Sequence, residues 1–144
     1  MNDAKNNQAI KLPPQSLEAE KAVLGCMLID PDAVSRSLHL LTENSFYNIN
    51  HVYVYQAILK LFEKNTAVDN ISVTNELGKM GKLDEVGGAY FITGLSSEAP
   101  AASNVEYYVS IIKEKEILRS IIKSAVQMST QAYESAEDAT IILD

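Results

Sequence analysis

The chain has 144 residues, of which 47% are hydrophobic and 22% charged, with no tryptophan, two histidines, one cysteine and a formal net charge of -7. That length suits one domain, or a small domain with an appendage, and the composition is too apolar for disorder. The acidic surface repels phosphate and argues against nucleic-acid binding by charge, and a lone Cys26 excludes an internal disulfide or a zinc spacing.

Residues 1–12 are polar and read as a flexible tail closed by Pro13 and Pro14. Ser16 then caps a first helix of about three turns that ends near Ile29. Glu18 and Glu20 stand in its first turn, and Leu17, Lys21, Leu24 and Leu28 share a face beside Val23 and Met27. Asp30 and Pro31 open a second helix carrying Val34, Leu38 and Leu41. After a turn-like stretch around Phe46 and Tyr47, Asn50 is placed to cap a third helix with Tyr53, Val54, Ala57, Ile58, Leu61 and Phe62. Asp69 to Ser72 introduces a fourth helix with Val73, Leu77 and Met80 on one face, stopped by Gly81. Gly87 and Gly88 make a turn, and a short fifth helix runs from Ala89 to about Ser96.

Neither proline nor glycine interrupts Asn104 to Tyr133, which reads as one long helix or two joined at Lys113–Glu116. Ser135 and Asp138 form a capping-box pattern for a final helix into Ile141, Ile142 and Leu143. The predicted class is all-α. A compact helical head of about five helices spans residues 13–103, and a helical hairpin with a truncated second arm spans 104–144.

At ~100° per residue, Ile117, Leu118, Ile121, Ile122, Ala125, Val126 and Met128 sweep roughly half the circumference of the long helix. A helix lying on one core needs a stripe little wider than ~100°. Val105, Tyr108, Val109 and Ile112 point to the other side, so the apolar face rotates across Lys113–Glu116. The first half is therefore expected to pack on the head, and the second half on its hairpin partner and another chain. A plain bundle with every face internal is the alternative.

Chemistry is sparse. No phosphate loop, HExxH or Cys/His cluster occurs. Cys26 reads as a small apolar helix residue, His39 as a half-buried packing residue, and His51 as a helix-start residue bonding a turn carbonyl. Glu18 and Glu20 read as solvated first-turn acids, and the row Lys115, Arg119, Lys123 as a solvated face. No catalytic, metal or cofactor residue is assigned. With neither a signal peptide nor a membrane-length apolar run, the cytoplasm is the expected location.

Several segments together resemble the N-terminal region of bacterial replicative DNA helicases of the DnaB type. They are Leu12 to Gly25 (LPPQSLEAEKAVLG), Asp30-Pro31, Phe46-Tyr47 with His51, Val68-Asp69, Glu85 to Gly88 (EVGG), Pro100, and Asn104 to Tyr108 (NVEYY). The resemblance covers residues 11–144 and departs at Phe91, where the family often has tyrosine. It implies a helical head and a hairpin that pairs between subunits, as a dimer or as a trimer of dimers forming a collar on a hexameric ring. It also implies docking of the primase C-terminal domain. The expected oligomer interface is Ile117, Leu118, Ile121 and Ala125, and the expected primase interface is Glu18, Phe91, Ile122 and Met128. The family's motor domain, with its ATP and magnesium, has no counterpart in these residues, so an excised, non-catalytic domain is expected. A free-standing regulator or decoy that binds primase or helicase is the alternative.

Overall fold

A computed structural model describes residues 11–134. The expected final helix from Ser135 lies outside the described residues, as does most of the expected tail. Among the described residues every regular element is a helix, with α1 (Leu17–Ile29), α2 (Pro31–Leu40), α3 (Ile49–Glu63), α4 (Asn70–Lys79), α5 (Leu83–Val86), α6 (Gly88–Ser97) and α7 (Val105–Glu134). Short 3-10 turns precede α3 and α7 at Glu43–Ser45 and Ala102–Asn104.

Helix starts follow local chemistry. The Ser16 hydroxyl accepts from Ala19 N at 3.2 Å, and the Asp30 carboxylate accepts from Asp32 N at 3.0 Å with Pro31 entering the first turn. Asp69 and Ser72 form a reciprocal capping box. The start of α3 differs from expectation. Its cap is Asn48, whose side chain accepts from Asn50 N at 2.9 Å. The asparagine two residues later has the same chemistry, but Asn48 alone has the extended backbone a cap requires. The five expected head helices are joined by one more, the single turn α5. Gly87 ends it at φ +110°, a left-handed conformation that a side chain strains.

α1 is the central helix. Ala19, Glu20 and every residue from Val23 to Leu28 are buried, so nearly its whole circumference is covered, by α2, α3, α6 and the first half of α7. Leu17, expected on the apolar face, is instead partly exposed at the helix start. The core assembles Val23, Leu24 and Met27 with Val54, Ile58, Val73, Leu77 and Ile92. It continues into α7 through Val105, Val109 and Ile112. α6 crosses α1 at Gly25, where a Cβ would collide with the Leu95 carbonyl and lie 2.8 Å from Ala99 Cβ. Arg36 of α2 clasps the start of α7: it donates to both Glu106 carboxylate oxygens at 2.8 Å and to the Ala102 carbonyl at 3.3 Å. That bond holds the Glu106 carboxyl below the usual carboxylate range.

Candidate protein-docking surface

α7 is one continuous helix through Lys113–Glu116. Its middle is tied to the head by Glu116, which accepts from Ser45 Oγ at 2.9 Å, and by Arg119. Arg119 donates to the carbonyls of Pro14 at 2.8 Å and Ser45 at 3.0 Å, and its guanidinium lies 5.8 Å from the centre of the Tyr47 ring. This differs from the expected solvated row. Carbonyls brought in from two distant loops recruit the one basic residue whose fork can reach both.

Beyond Arg119 every described residue of α7 is exposed. The expected change of face is present. Val105, Val109 and Ile112 are buried against the head, whereas Ile117 is 57% exposed, Ile121 59%, Ile122 49%, Val126 59% and Met128 46%. Leu118 and Ala125 are exposed as well. At ~100° per residue these side chains span about half a turn on the side away from the head, and Arg119 and Lys123 lie on the head side. Met128 points along the stripe of Ile117 and Ile121, while Ile122 stands at its far edge with Val126 and Tyr133. The residues expected to meet a second subunit and those expected to meet primase therefore interleave on one surface.

Glu18 and Phe91 lie elsewhere, on the head. Glu18 lines a hollow with Ala22 and Pro100, and Phe91 lines an adjoining one with Tyr90 and Gly94; Lys21, Leu95 and Glu98 border both. The structure thus brings Glu18 near Phe91, and Ile122 near Met128, as two separate pairs. Tyr90, 89% exposed beside Phe91, was not singled out from sequence. Its exposure depends on which face of α6 meets α1, and Gly25 decides that.

Behind Phe91 lies a buried polar cluster. Glu20, expected at the surface, is 2% exposed and accepts from Tyr47 N at 3.0 Å, Asn48 N at 3.3 Å and His51 Nδ1 at 2.8 Å. His51, expected to bond a turn carbonyl, is equally buried, and its ring lies parallel to Phe91 at 6.1 Å. The chain entering α3 turns two backbone N–H groups inward just ahead of the helix, and α1 delivers a carboxylate that accepts from both. His39 is exposed rather than half-buried. Cys26 is buried, with its thiol 3.6 Å from the Pro100 carbonyl, and burial pushes its pKa up. That makes it an inert packing residue.

Among the described residues no group of three or more His, Cys, Asp or Glu side chains could hold a metal ion. No described helix is long and apolar enough to cross a membrane.

Residues 12–114 match the family model described as DnaB-like helicase N terminal domain. Over 141 residues the chain is 42% identical to the replicative DNA helicase DnaB of Rhodothermus marinus, a match covering 98% of this chain and 15% of that protein. It is 37% identical over 133 residues to the replicative DNA helicase DnaC of Bacillus subtilis, covering 92% of this chain and 29% of that protein. The chain thus spans less than a third of the length of either relative. The crystal structure of the N-terminal domain of DnaB helicase from Mycobacterium tuberculosis matches with a TM-score of 0.86 and 38% identity, covering 91% of this chain and 94% of that one.

Proposed function

The chain belongs to the DnaB-like helicase N-terminal domain family, and from that premise we propose that it is a non-catalytic interaction module of a replicative DNA helicase. On this reading it joins subunits and docks primase during DNA replication. The observation that carries the reading is the cantilevered half of α7, where Ile117, Ile121, Ile122, Val126 and Met128 are each about half exposed or more. Burying such side chains contributes roughly 1.5–3 kcal/mol each, which makes the surface costly to leave wet and suited to a protein partner.

The oligomer contact is assigned to Ile117, Leu118, Ile121 and Ala125, and the primase C-terminal domain to Ile122 and Met128 on α7 with Glu18 and Phe91 on the head. The two patches lie on separate elements, so a primase domain that touches both must bridge the head and the helix. The partly buried Phe91, braced by His51, supplies a rigid aromatic of the kind that anchors interfaces. No ATP, magnesium or nucleic-acid site is assigned to these residues. ATP turnover by the purified chain would contradict that assignment.

The test is titration calorimetry with a purified primase C-terminal domain. Ile122→Glu and Phe91→Ala should each weaken binding at least tenfold with circular dichroism unchanged. Wild-type affinity in both variants would remove the primase assignment.

A further inference from the structure

Phe91 on the head is held on two sides. Gly87 packs so closely against it that a Cβ on the glycine would lie 3.0 Å from Phe91 Cβ. The His51 imidazole lies behind the ring, 9° from parallel with centroids 6.1 Å apart. His51 is fixed in turn by Glu20, whose Oε1 is 2.8 Å from Nδ1. Facing a carboxylate that also accepts from two backbone N–H groups, Nδ1 is the ring nitrogen that donates. Both side chains are 2% exposed, so solvent has little access to the bond between them.

The same carboxylate holds the segment between α2 and α3. Tyr47 N donates to Oε2 at 3.0 Å and Asn48 N to Oε1 at 3.3 Å. Two residues earlier, Ser45 takes α7: its carbonyl accepts from Arg119 at 3.0 Å and its hydroxyl donates to Glu116 at 2.9 Å. Tyr47 meets both ends at once. Its backbone N–H reaches Glu20, while its ring faces the Arg119 guanidinium at 5.8 Å. One short segment thus joins the support of the Phe91 ring to the anchor of α7.

We infer that Glu20 and His51 are positioning residues for docking. They hold the Phe91 ring and, through Tyr47, the Arg119 anchor of α7 in one frame, so that the head patch and the α7 patch meet a partner at a fixed spacing. The inference rests on the reading that one primase domain touches both patches. Neither residue reaches that partner, since both are buried. A partner that bridges two patches loses affinity when their spacing wanders, because only the aligned fraction of the chain engages both at once. Apolar side chains of the same volume would fill this part of the head with comparable stability. Hydrogen bonds add direction, and direction is what a ring face and a helix anchor need from their support. The turn into α3 already has caps of its own in Asn48 and in Thr42 with Ser45, so helix capping does not account for the cluster.

The test follows two magnetic resonance signals in the full chain alone, then affinity. Fluorine placed on the three phenylalanines reports the Phe91 ring, and the Nε–H of Arg119 is one of two arginine signals, the other being Arg36. Glu20 bonds to neither reporting group, yet Glu20→Gln should move both signals. Tyr47→Ala should move the Arg119 signal and leave the fluorine signal in place. His51→Asn, whose amide nitrogen can replace Nδ1 against Glu20, should do the reverse. A general loosening of the head would move both signals in all three variants. In variants whose circular dichroism matches the wild type, Glu20→Gln and His51→Asn should each bind a purified primase C-terminal domain about fivefold more weakly or worse. If Glu20→Gln fails to fold, the opposite responses of Tyr47→Ala and His51→Asn decide the matter. The inference is overturned by an unmoved Arg119 signal in folded Glu20→Gln, by both signals moving in every variant, or by wild-type affinity in His51→Asn where Phe91→Ala binds weakly. Wild-type affinity in Phe91→Ala itself would instead remove the docking reading, and the two signals would then judge the frame by themselves.

Discussion

Glu20 and Glu18 stand two positions apart on the same first turn, and their surroundings are opposite. Glu20 is an interior acceptor for two backbone N–H groups and His51, while Glu18 faces solvent at the rim of a hollow. Glu20→Ala is therefore expected to cost about 3–5 kcal/mol, because it strands buried donors, and Glu18→Ala less than ~0.5 kcal/mol. Urea titration of both variants measures the difference, and similar midpoints would contradict it. Tyr55 offers a pH signature. Its buried hydroxyl donates to the Leu41 carbonyl at 2.9 Å, and burial raises its pKa. The folded state thus holds the phenolic proton more tightly than the unfolded chain. The stabilisation is complete below the ordinary tyrosine value of about 10 and is lost as pH rises through the raised folded value. Tyr55→Phe should lower stability by about 1 kcal/mol at neutral pH and flatten the alkaline decline. A decline as steep as in the wild type would exclude this role. Caps at Ser16, Asp30 and Asp69 were legible in the sequence because their partners lie two or three residues away. The burial of Glu20 was not, because its partners come from α3 and the loop before it, and no local pattern records that approach.

Helices were legible wherever apolar spacing and capping residues agreed. α5 was missed because a single turn has no period to read, and the start of α3 slipped by two residues between similar asparagines. The rotation of the apolar face of α7 was legible because it depends only on helical geometry. What anchors that rotation, Arg119 reaching the Pro14 and Ser45 carbonyls, was hidden in a row of basic residues that looks uniform from sequence. At the other end of the packed segment, Arg36 ties α2 to Glu106. Because the carboxyl is held below its ordinary value, this tie stabilises the fold above the unfolded carboxylate range. It is lost as pH falls through the lowered folded value. Protection of the first-turn amides of α7, measured against the intrinsic exchange rate at each pH, should fall below about pH 4, and Glu106→Gln should show the lower protection at neutral pH already. An acid-insensitive first turn would contradict that. Where α6 crosses α1, Gly25→Leu should unfold the head, since the Leu95 backbone cannot withdraw, and a wild-type melting curve would show that the crossing is looser.

At the scale of the molecule, the head is finished and the helix leaving it is not. Val105, Val109 and Ile112 complete the core of the head, after which α7 carries its apolar side chains into solvent on the opposite face. The family, the helical class and this division of α7 could all be read from the sequence, because they rest on ordered motifs and on helical period. The grouping of Glu18 with Phe91, apart from Ile122 and Met128, could not, since it depends on how α6 and α7 are placed around α1. The account rests on the exposed half of α7 being a surface for protein. Sedimentation velocity of the purified chain over a wide concentration range, compared with Ile121→Glu, tests this most directly. The account predicts that the wild type shifts from monomer towards dimer as concentration rises, while the variant stays monomeric with an unchanged melting temperature. A wild type that remains monomeric throughout, or a variant that associates equally well, would contradict it.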